Sequence, residues 1–272
     1  MVGVFSFWLT LNVAAASSAK SSGNAEDGAV ILMYHHVGHP STPDIQISTE
    51  LFALHLRYLK EHQFNVWPLA TLLNALEKRL PIPDKTVVLT ADDGYLSLYE
   101  NAFPLLKQFG FPMTFFISTQ VIDQHAPVMM RWEQMREMAQ SGMTFANHTL
   151  THPYLWRQPN ESERDWKKRV RSEVLKAQQR LKAELGAAAL TAVAYPYGEF
   201  TSELKAQIKA MGFWGMAQNS GAVGVQSDPQ ALLRFPMNDR YGAMEQFKIK
   251  VETLPLALKK VTPKETVIQE NP

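Results

Sequence analysis

Two adjacent carboxylates, Asp92 and Asp93, stand where an apolar run ends, in Thr86-Val87-Val88-Leu89-Thr90-Ala91-Asp92-Asp93-Gly94-Tyr95. A β-branched apolar run of this kind predicts a buried parallel strand, and α/β folds collect ligands at the carboxyl ends of strands. Neighbouring side chains there point in different directions, so one aspartate can hold a cation while the other faces a substrate. An Asp-Gly pair also suits an ordinary turn, with an aspartate capping the helix that follows. A second group weighs against that plain alternative. Asn147-His148-Thr149-Leu150-Thr151-His152-Pro153 follows another short apolar run at 143–146. Histidines four apart reach one side of a helix or tight turn, as a shared cation requires. Two imidazoles and one carboxylate are a recognised set for catalytic zinc. The same set serves non-haem iron oxygenases; the second carboxylate favours hydrolysis.

With a third stretch, Tyr195-Pro196-Tyr197-Gly198, these groups resemble in order three motifs of the polysaccharide deacetylases. These are carbohydrate esterase family 4, with the NodB homology domain. The resemblance runs over about residues 29–218. It implies an α/β fold, a distorted (β/α)7-type barrel, and a metal-dependent hydrolase. The substrate implied is an acetylated polysaccharide or oligosaccharide of β-linked N-acetylglucosamine type, the product acetate. It also implies one divalent cation, zinc first, with cobalt, nickel or iron(II) as alternatives. Carried over residue by residue, Asp92 is the catalytic base, and Asp93, His148 and His152 are the metal ligands. In the third motif Pro196 lacks an N–H and Gly198 permits a tight turn, so the Tyr197 amide can face a developing oxyanion, as in the family.

The chain departs from the pattern at three places. Ala91 stands where the family usually carries phenylalanine, a change expected to alter packing more than chemistry. Ala192, Val193 and Ala194 precede Tyr195 where an arginine is usual. Arg234, in Leu232-Leu233-Arg234-Phe235-Pro236, is the substitute expected to orient Asp92, with a surface salt bridge as the competing reading. Finally, the late strand that carries the general-acid histidine has no counterpart, since no histidine follows His152. The run Ile31 to His35 resembles that strand moved to the N-terminus, which cutting a closed barrel elsewhere allows. Such an arrangement is similar to exported deacetylases of poly-β-1,6-N-acetylglucosamine. His35 is the expected general acid and His36 its competitor.

The elements that must position these residues alternate along the chain. Helices are predicted over 48–63, 68–78, 96–109, 131–140, 159–185, 201–211 and 243–251. Strands are predicted over 29–37, 64–67, 87–89, 113–118, 143–146, 190–194, 213–217 and 231–235. Such alternation means a parallel sheet. Ser162-x-x-Asp165 reads as a helix-capping signal. Trp156, close after the histidines, is a candidate sugar platform; Trp132 is expected in the core, and Trp214 is a further candidate wall.

At 272 residues and 46% hydrophobic content the chain suits one α/β domain. A net charge of +1 gives no electrostatic case for nucleic acid. Absence of cysteine excludes disulfides, thiolate metal sites and a lipoprotein attachment point. Residues 1–19 combine an apolar run with Ala-rich cleavage sites, although no lysine or arginine precedes the run. This predicts a signal peptide, export to a periplasmic or extracellular space, and no stable membrane span once it is removed. A lead-in at 20–28, a catalytic domain at 29–252 and a poorly ordered tail at 253–272 complete the expected organisation. An O-acetyl esterase and a catalytically silent carbohydrate-binding protein are the alternative functions.

Overall fold

A computed structural model describes residues 28–39 and 43–252. The expected signal peptide, most of the lead-in and the tail lie outside the described residues. In chain order the first elements are β1 (Gly28–Tyr34), β2 (His36–Val37), β3 (Gln46–Ile47), α1 (Thr49–Glu61), β4 (Asn65–Val66) and α2 (Leu69–Lys78). Then come β5 (Thr86–Ala91), a π-helical turn Leu98–Ala102, α3 (Phe103–Phe109), β6 (Thr114–Ile117), α4 (Thr119–Asp123) and α5 (Trp132–Gln140). The remainder is β7 (Thr144–Asn147), α6 (Glu163–Leu185), β8 (Ala189–Ala194), α7 (Ser202–Ala210), β9 (Trp214–Met216), β10 (Val223–Gly224), β11 (Phe235–Pro236) and α8 (Met244–Val251).

The main sheet runs β10-β1-β5-β6-β7-β8-β9, parallel except for β10. Side chains alternate between its two faces. Val30, Leu32 and Tyr34 of β1 and Val87, Leu89 and Ala91 of β5 form one cluster with Phe52, Leu56 and Leu59 of α1. The opposite phase, Ala29, Ile31, Val88, Phe116, Ala146, Ala192, Ala194 and Met216, lines the inside of the curl and meets α2. His35 follows the inner phase of β1, Asp92 that of β5 and His148 that of β7. Alternation thus aims all three at one mouth. Ala91, with its outward phase, is fully buried under the helices rather than in the site.

The sheet curls until one short segment serves both edges. Leu232 bridges Met216 of β9, and three residues later Phe235 and Pro236 pair with Leu32 and Met33 of β1. The strand expected over 231–235 is therefore one bridge followed by a two-residue strand, because the segment crosses from one neighbour to the other. The strand expected over 29–37 likewise breaks at His35. Beyond it, β2 leaves the barrel and pairs with β3 in a separate two-stranded sheet. The capping signal is realised: the Ser162 hydroxyl accepts from the Asp165 amide at the start of α6, a bond of about 1 kcal/mol. Trp132 lies in the core. Among the described residues no helix is long and apolar enough to cross a membrane.

Candidate metal centre and active site

Strand ends bring the charged residues together. Asp93 Oδ1 lies 3.3 Å from His148 Nε2 and 3.5 Å from His152 Nε2. One ligand atom from each residue falls within 4.8 Å of the other two. The donor set fits a divalent cation. His148 Nδ1 is 2.9 Å from the Ala194 carbonyl, which requires its proton, so the Nε2 lone pair is turned toward Asp93. An oxygen and two imidazole nitrogens facing one point need a positive charge between them. Burial opposes a charged His148, but its hydrogen bond to Asp93 and the two nearby carboxylates outweigh this and raise its pKa. A cation would replace the proton they attract. Burial and the neighbouring His148 instead lower His152 to about 4, keeping that ring neutral.

Backbone conformation aims the ligands. Asp93 has φ 71°, and Gly94 follows at φ 83° in a place where a Cβ would lie 2.9 Å from Ile117. Thr149 at φ 70° and His152 at φ 58° give the histidine loop two more left-handed residues without glycine. Such conformations persist only where surroundings hold them. Every amide from His148 to His152 has an acceptor. His148 N donates to Ile117 O at 2.9 Å and Thr149 N to Asn147 Oδ1 at 2.8 Å. Leu150 N and Thr151 N both donate to Glu173 Oε2, at 3.1 and 2.9 Å. His152 N donates to the Thr149 hydroxyl at 3.0 Å.

Asp92 is fully buried against Arg234, also fully buried, in a two-pronged pair with both N···O distances 2.7 Å. Burial alone would raise the Asp92 pKa; the guanidinium reverses this and holds it below the usual carboxylate range. Arg234 is itself fixed by the Ala217 carbonyl at 2.9 Å and by the Phe116 ring, 5.3 Å from its Cζ. The alternative of a surface salt bridge does not describe it.

His35 sits beside the carboxylates. Tyr34 pairs in register with Ala91, and the Asp92 amide donates to the Tyr34 carbonyl at 3.0 Å. His35 is close enough to be among the groups that help lower the pKa of both Asp92 and Asp93. His36 faces the other way. Its Nδ1 is 3.1 Å from the Ser97 hydroxyl, its ring stacks on Tyr95 at 3.5 Å, and burial lowers its pKa to about 4. Burial first, and the Asp93 charge after it, raise the pKa of the neighbouring Tyr95 phenol.

In the third motif Tyr197 takes φ 60°. The amides of Gly198 and Glu199 donate within this turn, to Tyr195 and Pro196. Among the described residues the Tyr197 amide has no backbone acceptor. The Tyr197 ring, 45% exposed, stacks on Tyr154 at 4.3 Å and meets His152 edge-on at 4.6 Å. Trp156 adjoins Tyr154 at 5.8 Å, so the expected platform is the far end of an aromatic row that starts at a candidate ligand. Trp214, half-buried, packs instead against the barrel interior. Sequence reasoning passed over Tyr95, Asn147 and Glu173. Tyr95 closes the first motif and could have been flagged; nothing local marks Glu173, which lies on a helix 21 residues after His152.

Comparison with known proteins adds to this geometry. The polysaccharide deacetylase family model matches residues 79–215. A Bacillus subtilis (strain 168) protein, named as a candidate polysaccharide deacetylase, is 29% identical over 210 residues, 75% of this chain and 69% of that one. The Staphylococcus epidermidis poly-beta-1,6-N-acetyl-D-glucosamine N-deacetylase is 26% identical over 219 residues, 74% of each chain. The Escherichia coli (strain K12) protein of the same name is 28% identical over 144 residues, 47% of this chain and only 21% of that longer protein. Among solved structures, the Streptococcus pyogenes deacetylase PplD in complex with acetate is similar in fold. It has a TM-score of 0.73 and 24% identity over 83% of this chain and 99% of that one.

Proposed function

The chain belongs to the polysaccharide deacetylase family, and from that premise we propose that it hydrolyses N-acetyl groups on a β-linked N-acetylglucosamine polysaccharide. One observation carries this reading. The Asp93, His148 and His152 trio, the Arg234-bound Asp92 and His35 converge at the same strand-end mouth.

Asp93, His148 and His152 would hold the divalent cation, with zinc the first expectation for two imidazoles and a carboxylate. When bound, that cation supplies a Lewis acid that polarises the amide carbonyl and lets water attack at neutral pH. Asp92, kept ionised by Arg234, accepts the proton of the attacking water. The Tyr197 amide donates to the carbonyl oxygen as negative charge develops there. His35 delivers a proton to the departing nitrogen, without which the amine would leave poorly. Acetate and a free glucosamine unit result. The aromatic row from Tyr197 to Trp156 offers apolar faces to the sugar rings.

Named relatives that act on poly-beta-1,6-N-acetyl-D-glucosamine support a β-1,6-linked substrate. Export rests on the N-terminal pattern; N-terminal sequencing of extracted protein should find a start near Ser17 or Lys20, and an intact Met1 would refute it. The activity is tested by incubating zinc-loaded protein with β-1,6- and β-1,4-linked N-acetylglucosamine oligomers and with an O-acetylated sugar, assaying acetate. Release from the β-1,6 oligomers, abolished by a chelator and restored by zinc, is expected. Release from the O-acetyl sugar alone would make the protein an esterase, and no release from any of them would make it a binding relative.

A further inference from the structure

Glu173 belongs to α6, away from every motif, yet its carboxylate is spent entirely on the loop between the two histidines. It accepts from Leu150 N and Thr151 N through Oε2, and from the Thr151 hydroxyl through Oε1 at 3.1 Å. Two of the five loop amides thus have this one side chain as their acceptor. A helix carboxylate of this kind would ordinarily pair with a cation one turn away. Arg169, four residues earlier, pairs with Glu161 instead. The same helix also grips the other end of the loop, because Asn147 Nδ2 donates to Val174 O at 2.9 Å and reaches Gln178 Oε1 at 3.3 Å.

We infer that Glu173 is a positioning residue for the metal loop, acting through the Leu150 and Thr151 amides to hold His152 on the same cation as His148 and Asp93. The inference rests on the metal centre proposed above. Left-handed residues at Thr149 and His152 bracket the two amides that Glu173 accepts. Without that acceptor the loop can relax toward ordinary backbone angles and swing the His152 ring away from Asp93. His148, buried and fixed by Ile117 and Ala194, would stay in place. The effect belongs to metal affinity before it belongs to fold stability, since Thr151 is exposed and water can replace its bonds.

The test separates geometry from charge. Glu173→Asp keeps the charge but draws the carboxylate back by one methylene; Glu173→Gln loses the charge but keeps an oxygen that can accept from both amides. Affinity for Zn²⁺ alone is measured by competition with a chromophoric chelator, and amide hydrogen exchange is followed at Leu150 and Thr151. Outer partners of metal ligands typically change affinity about 10–100-fold, so Glu173→Asp should weaken Zn²⁺ binding by that factor and speed exchange at both amides. Glu173→Gln should stay within a few-fold of wild type, and the metal-free unfolding temperatures of all three should be close. Wild-type affinity in Glu173→Asp, or equal weakening in both variants, would overturn the inference. A wild-type protein that binds no Zn²⁺ would instead overturn the metal centre on which it rests.

Discussion

Asp92 and Asp93 are identical in chemistry and adjacent in sequence, and the backbone between them gives them different surroundings. Asp92 continues the inner phase of β5 into the grip of Arg234, while the left-handed turn at Asp93 swings its carboxylate to the histidines. His35 and His36 are divided in the same way by a strand break. The proposed roles predict a difference between substrates. His35→Ala should depress amide hydrolysis about 10²–10⁴-fold, the usual span of acid–base assistance, and acetyl-ester hydrolysis far less, because an alkoxide leaves with less help. Rates on both substrates check this, and equal loss on the two would argue against a general acid. His36→Ala should be mild on both substrates, with any loss reaching the site through Tyr95 and not distinguishing amide from ester. The four residues Asp92, Asp93, His148 and His152 were readable because each pair lies within one short local motif. Glu173, and the bonds of the Asn147 amide to α6, were not legible, since they depend on how a helix reaches across the fold.

At the scale of elements, residues 232–236 matter most. They join the two edges of the curled sheet and carry Arg234 between the joints. The sequence marked this segment as apolar with one cation, and a continuous strand was the natural expectation; sharing between β9 and β1 is a property of closure, invisible to periodicity. Arg234→Met removes the partner of a fully buried carboxylate. Losing one member of such a pair costs about 3–5 kcal/mol, and the Asp92→Asn, Arg234→Met double variant should recover part of it. Denaturant unfolding of the two variants checks both statements. A loss below about 1 kcal/mol in the single variant would mean that Asp92 finds another partner or takes up a proton.

Across the whole molecule the strand–helix alternation was legible, because each parallel strand is an apolar run and each helix an amphipathic one. What holds α1 against α8 was not. His55 of α1 is fully buried, its Nε2 2.7 Å from the Gly242 carbonyl, its Nδ1 3.1 Å from the Tyr34 hydroxyl, and its ring stacked on Phe247 of α8 at 4.0 Å. That arrangement fits the neutral ring. Burial, opposed by the Gly242 bond and aided by Lys250, lowers its pKa to about 4. The unfolded chain, with a histidine pKa near 6.5, binds the proton first. Stability contributed by this group is therefore present above about pH 6.5 and lost as pH falls toward 4, by about 3 kcal/mol in all. His55→Phe should flatten the pH dependence of unfolding over that window by a comparable amount. A curve parallel to wild type would show that His55 is not the group responsible.

One paired measurement separates the roles of the two aspartates. Zinc content and acetate release from an N-acetylglucosamine oligomer are determined on the same samples of wild type, Asp92→Asn and Asp93→Asn. Asp92→Asn should retain a full equivalent of zinc while acetate release falls about 10²–10⁴-fold, and Asp93→Asn should lose zinc and activity together. Asp92→Asn that turns over at the wild-type rate, or Asp93→Asn that holds zinc as tightly as wild type, would contradict these roles.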